Sequence, residues 1–123
     1  MLHRMMILIQ CRFNMKSEDK IQQDQVMWYR NTYCLKHHKP RNLILSIPNE
    51  GKPELIRTGL YPGAADLMVV HFGRVFFVEN KTDTGRQSDK QKDFQEHVQS
   101  LGFDYHLCRS FDEFKQIIEK YNP

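Results

Sequence analysis

A chain of 123 residues, 40% hydrophobic and 27% charged, suffices for one globular core and leaves little room for a second. The balance argues against disorder, and no apolar run approaches the roughly 18–20 residues that cross a bilayer. The formal charge of +3 is uneven, with residues 1–62 at net +5 and residues 63–123 at net −2, so a basic half could meet phosphate while an acidic half holds a metal.

Residues 1–14 have two readings: an added β-strand through Met5–Ile9, or an artefact of start-site choice, since Met15-Lys16-Ser17-Glu18 reads as an N-terminus leading into a helix. A single domain is therefore expected over residues 15–123. Ser17 is placed to cap the first helix, with Glu18 and Asp19 in the first turn where the helix dipole favours acids. Ile21, Gln25, Trp28, Thr32 and Leu35 recur at helical spacing, widened by Val26, Tyr29 and Tyr33, which predicts a helix from about 18 to 36. Lys36-His37-His38-Lys39-Pro40 ends it, because proline cannot continue the hydrogen-bond ladder.

Leu43–Ile47 reads as a first strand, and Asn49–Gly63, which has no clear period, as a loop. Two strands follow, Asp66–Phe72 and Arg74–Lys81, separated only by Gly73, which predicts a tight antiparallel hairpin. Ser88 and Gln91 form a capping box for a second helix with the inner face Gln91, Phe94, Val98 and Leu101, closed by Gly102. Asp104–Arg109 is a final strand. Ser110 and Glu113 form a second capping box, for a last helix with the apolar side Phe111, Phe114, Ile117, Ile118 and Tyr121. The order α-β-β-β-α-β-α is an α/β fold, a mixed sheet flanked by helices.

Alternate residues of a strand share a face, roughly 6.5–7 Å apart, so Glu79 and Lys81 project together and Asn80 projects oppositely, its carbonyl between them. A turn at Gly73 brings Asp66 beside them. Two carboxylates and a backbone carbonyl suit magnesium, which prefers oxygen ligands and keeps several waters, and a nearby lysine can orient water or offset developing charge. The same residues could instead form a surface ion pair at a strand end.

The runs Tyr61-Pro62-Gly63-Ala64-Ala65-Asp66-Leu67, Phe77-Val78-Glu79-Asn80-Lys81-Thr82 and Gly85-Arg86-Gln87-Ser88 with Gln91 resemble the VRR-NUC branch of the PD-(D/E)XK nucleases. Ile47-Pro48-Asn49-Glu50-Gly51 and Gly102-Phe103-Asp104-Tyr105 extend the likeness over nearly all of residues 17–123. The resemblance implies a restriction-endonuclease-like fold and a Mg2+- or Mn2+-dependent endodeoxyribonuclease. Asp66, Glu79 and the Asn80 backbone carbonyl would be metal ligands, Lys81 the catalytic lysine, and Gln91 a site glutamine. Glu18 matches a first-helix acid that can contact metal directly or through water. Ala65 stands where many relatives have proline, and Asn80 where an apolar residue is usual. Gln91 is read equally as cap and as site residue, whereas Glu18 is read first as a first-turn acid.

The resemblance further implies action on branched DNA, including four-way (Holliday) junctions, by a homodimer, as in stand-alone phage and bacterial members. Competing readings are a flap, nicking or restriction-type nuclease, and a non-catalytic DNA-binding module of the same fold. A basic surface is expected from Lys36, Lys39, Arg41, Lys52 and Arg57, and apolar interface material from Met5–Ile9 and from Trp28 and Tyr29. Trp28 and Tyr29 also fit core positions by their spacing. His71 and His106, on strands, read as structural histidines, and the adjacent His37 and His38 do not suit a shared metal. Cys11, Cys34 and Cys108 lack any CxxC spacing, so reduced thiols and a cytoplasmic location are expected.

Overall fold

The computed structural model describes residues 17–35 and 41–123, and the side chain of Ser17 is not among what is described. The expectations for Ser17 as a cap, and for Met5–Ile9, Cys11, Lys36, His37, His38 and Lys39, therefore lie outside the described residues. Helix α1 spans Ser17–Tyr29, with Glu18 and Asp19 in its first turn, and runs directly into a π-helical turn, Arg30–Cys34. Leu35 N–H donates to Arg30 O at 2.9 Å, a bond five residues back that widens the turn. Tyr29 is buried, and Val26, Tyr33 and Cys34 pack on the core, whereas Thr32 is exposed and Leu35 is 64% exposed. The helical stripe read from the sequence holds as far as Tyr29 and again at Tyr33, and fails at Thr32 and Leu35.

Strand β1, Leu43–Ser46, pairs antiparallel with β2, Leu67–His71. Between them the expected loop contains a 3-10 helix, Pro53–Thr58, opened by a proline whose fixed φ suits a first helical position. Strand β2 turns back into β3, Arg74–Asn80, with His71 opposite Arg74. The turn is thus two residues, Phe72 and Gly73, rather than Gly73 alone. Both have positive φ, 48° and 81°, as a type I′ hairpin requires. Asn42 Oδ1 accepts from Phe72 N at 3.0 Å and holds the turn.

Helix α2, Asp89–Ser100, is opened by the complete capping box of Ser88 and Gln91. It leads into β4, Asp104–Cys108, which joins β3 in parallel and completes the sheet order β1-β2-β3-β4. Helix α3, Phe111–Lys120, is capped by Ser110, but Glu113 reaches past the expected partner and accepts from Arg109 N at 3.2 Å. The mixed sheet flanked by helices is the architecture expected from the element order.

Strand alternation sorts side chains onto two faces. Leu67, Val69, Phe76, Val78 and Cys108 pack with Ile44 and with Tyr29, Phe114, Ile117 and Ile118 of the helices. On the opposite face Ala64, Ala65, Phe94, Val98 and Tyr105 form a smaller cluster under α2. Trp28 stands edge-on to Tyr33, Phe111 and Phe114 at 5.8–6.1 Å between ring centres. Both aromatics tie α1 to the core; Tyr29, fully buried, is not free as a subunit interface, whereas Trp28 is only partly buried.

Candidate active site

Continuing the β2–β3 register by one pair beyond Leu67 and Val78 sets Asp66 opposite Glu79 at the mouth of the sheet. The Asn80 N–H donates to Asp66 Oδ2 at 2.8 Å, while the Lys81 N–H turns to Cys108 O at 2.9 Å. A strand residue's N–H and C=O lie on one edge, so the Asn80 carbonyl is on the side of Asp66. Asn49 Nδ2 donates to Asp66 Oδ1 at 3.1 Å and to Ala64 O at 3.0 Å, locking the carboxylate from the segment after β1. Asn49 stands in a run that carried the resemblance, yet its role was not anticipated; Pro48 before it and Gly51 after it mark only a turn.

Glu79 is 2% exposed. Its Oε2 accepts from Gln91 Nε2 at 3.3 Å, and its Oε1 is buried without a hydrogen-bond partner. Burial first, then the adjacent Asp66 carboxylate, pushes its pKa up to about 9 despite the opposing charge of Lys81. One Gln91 amide makes both contacts: its Oε1 accepts from Ser88 N at 2.8 Å, closing the capping box, while its Nε2 donates to Glu79. Glu18, preferred from the sequence as a first-turn acid, also reaches the cleft and adds to the negative field at Glu79.

The cleft has a volume of about 450 Å³, and Glu18, Asn49, Asp66, Glu79, Lys81 and Gln91 all line it. Lys90, in the first turn of α2, and Ile56, on the 3-10 helix, stand at its border. Gly63 admits this packing, because a Cβ there would lie 2.5 Å from the Lys90 carbonyl carbon, and its φ of 88° disfavours a side chain as well. Behind Lys81, Arg109 Nη1 donates to Thr82 O at 2.6 Å and Gly85 O at 2.8 Å, clamping the turn that follows the lysine. Nothing in the sequence marked Arg109 for that task.

Among the described residues no three His, Cys, Asp or Glu side chains are arranged to hold one metal ion. Asp66, Glu79 and the Asn80 carbonyl nevertheless fit a hard divalent cation: the set is all oxygen, and one buried carboxylate oxygen lacks a donor. Glu18 lines the same cleft. The expected basic surface divides. Lys52 and Arg57 are exposed at the cleft end, whereas Arg41 precedes the β1 residue paired with Val70, at the opposite end of the sheet.

A four-stranded mixed sheet flanked by helices, with acids at the mouth of its central hairpin, defines a domain of restriction-endonuclease-like fold. A solved structure described as "VRR_NUC domain" is similar over 88% of this chain and 100% of its own, with a TM-score of 0.63 and 22% identity. Another, described as "VRR_NUC domain protein", is similar over 86% of this chain and 88% of its own, with a TM-score of 0.68 and 20% identity. The chain thus has the fold of the VRR_NUC domain. No protein-family profile and no curated protein matches it.

Proposed function

We propose that this protein is a metal-dependent DNA endonuclease that hydrolyses phosphodiester bonds in the cleft of Asp66, Glu79 and Lys81. The observation that carries the reading is the buried Glu79 carboxylate, short of one donor and set against Asp66 with an ammonium alongside. A carboxylate so placed costs stability unless a cation is bound or a proton is kept. The fold shared with VRR_NUC domains supports the same chemistry.

Asp66, Glu79 and the Asn80 carbonyl would hold Mg2+ or Mn2+. When bound, such an ion lowers the pKa of water and offsets charge on the phosphate. Asn49 and the Asn80 N–H fix both oxygens of Asp66, so that this ligand is set in advance. Gln91 orients Glu79 from a helix end that is itself capped. Lys81 supplies a positive charge on the cleft wall, able to orient the attacking water or offset the developing phosphate charge. Lys90, Lys52 and Arg57 lie where flanking phosphates would pass.

The substrate we favour is branched DNA, four-way junctions included, cut by a homodimer. Two equivalent strands of a junction need two cleavage sites, and a two-fold pair supplies them. Labelled four-way junction, flap, duplex and single strand, each with magnesium, manganese or chelator, test the substrate. Preferred paired incision of the junction is expected, and equal cutting of plain duplex overturns the branched-DNA reading. Light scattering at micromolar concentration tests assembly: a species of twice the chain mass is expected on the junction, and a monomer that cuts both strands overturns the dimer.

A further inference from the structure

The face of β3 turned away from the cleft carries a polar cluster that the proposed chemistry does not use. Gln25 of α1 is 0% exposed and Asn80 is 1% exposed. They exchange two amide hydrogen bonds: Gln25 Nε2 donates to Asn80 Oδ1 and Asn80 Nδ2 donates to Gln25 Oε1, each at 2.8 Å. Gln25 Nε2 also donates to Cys108 Sγ at 3.5 Å, and that thiol donates to Ser110 O at 3.2 Å. An apolar pair of the same shape could fill this space at little cost, so the closed amide ring contributes direction more than net stability.

Both ends of the ring lead to the cleft. Asn80 stands between Glu79 and Lys81, and its own N–H holds Asp66. Gln25 stands seven residues from Glu18, two helical turns or about 10.5 Å of rise, on the same side of α1. Apolar contacts between a helix and a sheet tolerate sliding, whereas two reciprocal amide bonds hold over only a few tenths of an ångström. The seat of Gln25 on Asn80 therefore sets how far the first turn of α1 reaches past the sheet into the cleft.

We infer that the Gln25–Asn80 amide pair is a positioning device, which fixes Glu18 relative to Asp66 and Glu79 from the opposite face of the sheet. The inference rests on the cleft being a divalent-metal site. Neither side chain touches the reacting atoms; each acts through the backbone that carries it.

Calorimetric titration with Mn2+, without DNA, tests it on the full chain, Glu18→Gln, Gln25→Met/Asn80→Leu and the triple variant. Thermal unfolding in chelator reports on the fold of each. The paired replacement leaves no orphaned amide and is expected to stay folded. Glu18→Gln should weaken Mn2+ binding about tenfold in the native background, and less than about twofold once the amide pair is gone. An equal loss in both backgrounds overturns the inference, because unlinked sites this far apart act additively. Absence of Mn2+ binding by the native chain overturns the metal-site reading itself, and this inference with it. Should the apolar pair unfold, the swap Gln25→Asn/Asn80→Gln keeps the combined side-chain length. It is expected to recover Mn2+ affinity that Gln25→Asn alone loses; equal binding by these two variants overturns the inference.

Discussion

At Glu79 the requirements of folding and of the proposed metal binding oppose each other. With its pKa raised to about 9, the metal-free folded state holds a proton there that the unfolded chain loses near 4.5. Stability therefore falls as pH rises through that window. His71 and His106 act with the opposite sign. Burial lowers both below 6.5, so the unfolded chain binds the extra protons and stability is lost as pH falls under that value. His71 is fully buried, with Nδ1 2.9 Å from the Tyr29 hydroxyl and Nε2 2.6 Å from Asn122 Oδ1. Thermal unfolding in chelator should thus pass through a peak, falling on its acid side as the unfolded chain takes up the two histidine protons and on its alkaline side as the unfolded chain gives up the proton that folded Glu79 keeps. Glu79→Gln should remove the decline above the peak and raise the melting temperature at pH 8, and an unchanged alkaline limb would place the titrating group elsewhere. Magnesium, which requires the ionised carboxylate, should be bound with proton release, so its affinity should climb with pH.

The elements that form the cleft were legible where a local rule decided them. Ser88 and Gln91 announce a capping box, the alternation of β2 and β3 assigns faces, and Gly73 marks the tight turn that brings Asp66 opposite Glu79, although Phe72, read as strand, is the turn's other residue. Tertiary choices were not legible. A π turn redirects the end of the first helix, so that Leu35 faces solvent where a regular period would bury it. Leu101, read as an inner position of α2, is 63% exposed because it is the C-cap, where the chain leaves the helical path. Asn49 and Arg109 act on partners 17 and 24–27 residues away, and no spacing rule reaches that far. The close approach at Gly63 belongs to the same class and yields a prediction for the α2 seat. Gly63→Ala combines left-handed strain with a clash against the Lys90 backbone, and should destabilise the fold by about 2–4 kcal/mol in urea unfolding. A loss under about 0.5 kcal/mol would mean that α2 shifts without cost.

Over the whole molecule the acidic cleft sits beside cations of its own end: Lys52, Arg57, Lys81 and Lys90. The salt dependence of junction binding should flatten by about 0.9 in log–log slope for each phosphate left without its cation, so Lys52→Gln/Arg57→Gln/Lys90→Gln should flatten it measurably. Arg41→Gln, altered at the distant end of the sheet, should leave the slope unchanged, and the reverse pattern would move the DNA to the other end. The assignment of the cleft as a metal-dependent nuclease site stands or falls on one assay. Native protein, Glu79→Ala and Lys81→Met, purified side by side, are each given a labelled junction with magnesium or chelator. Native protein should cut with magnesium alone, Glu79→Ala should bind the junction without turnover, and Lys81→Met should lose on the order of 10²–10³ in rate. Cutting in chelator, or by Glu79→Ala, would overturn the assignment.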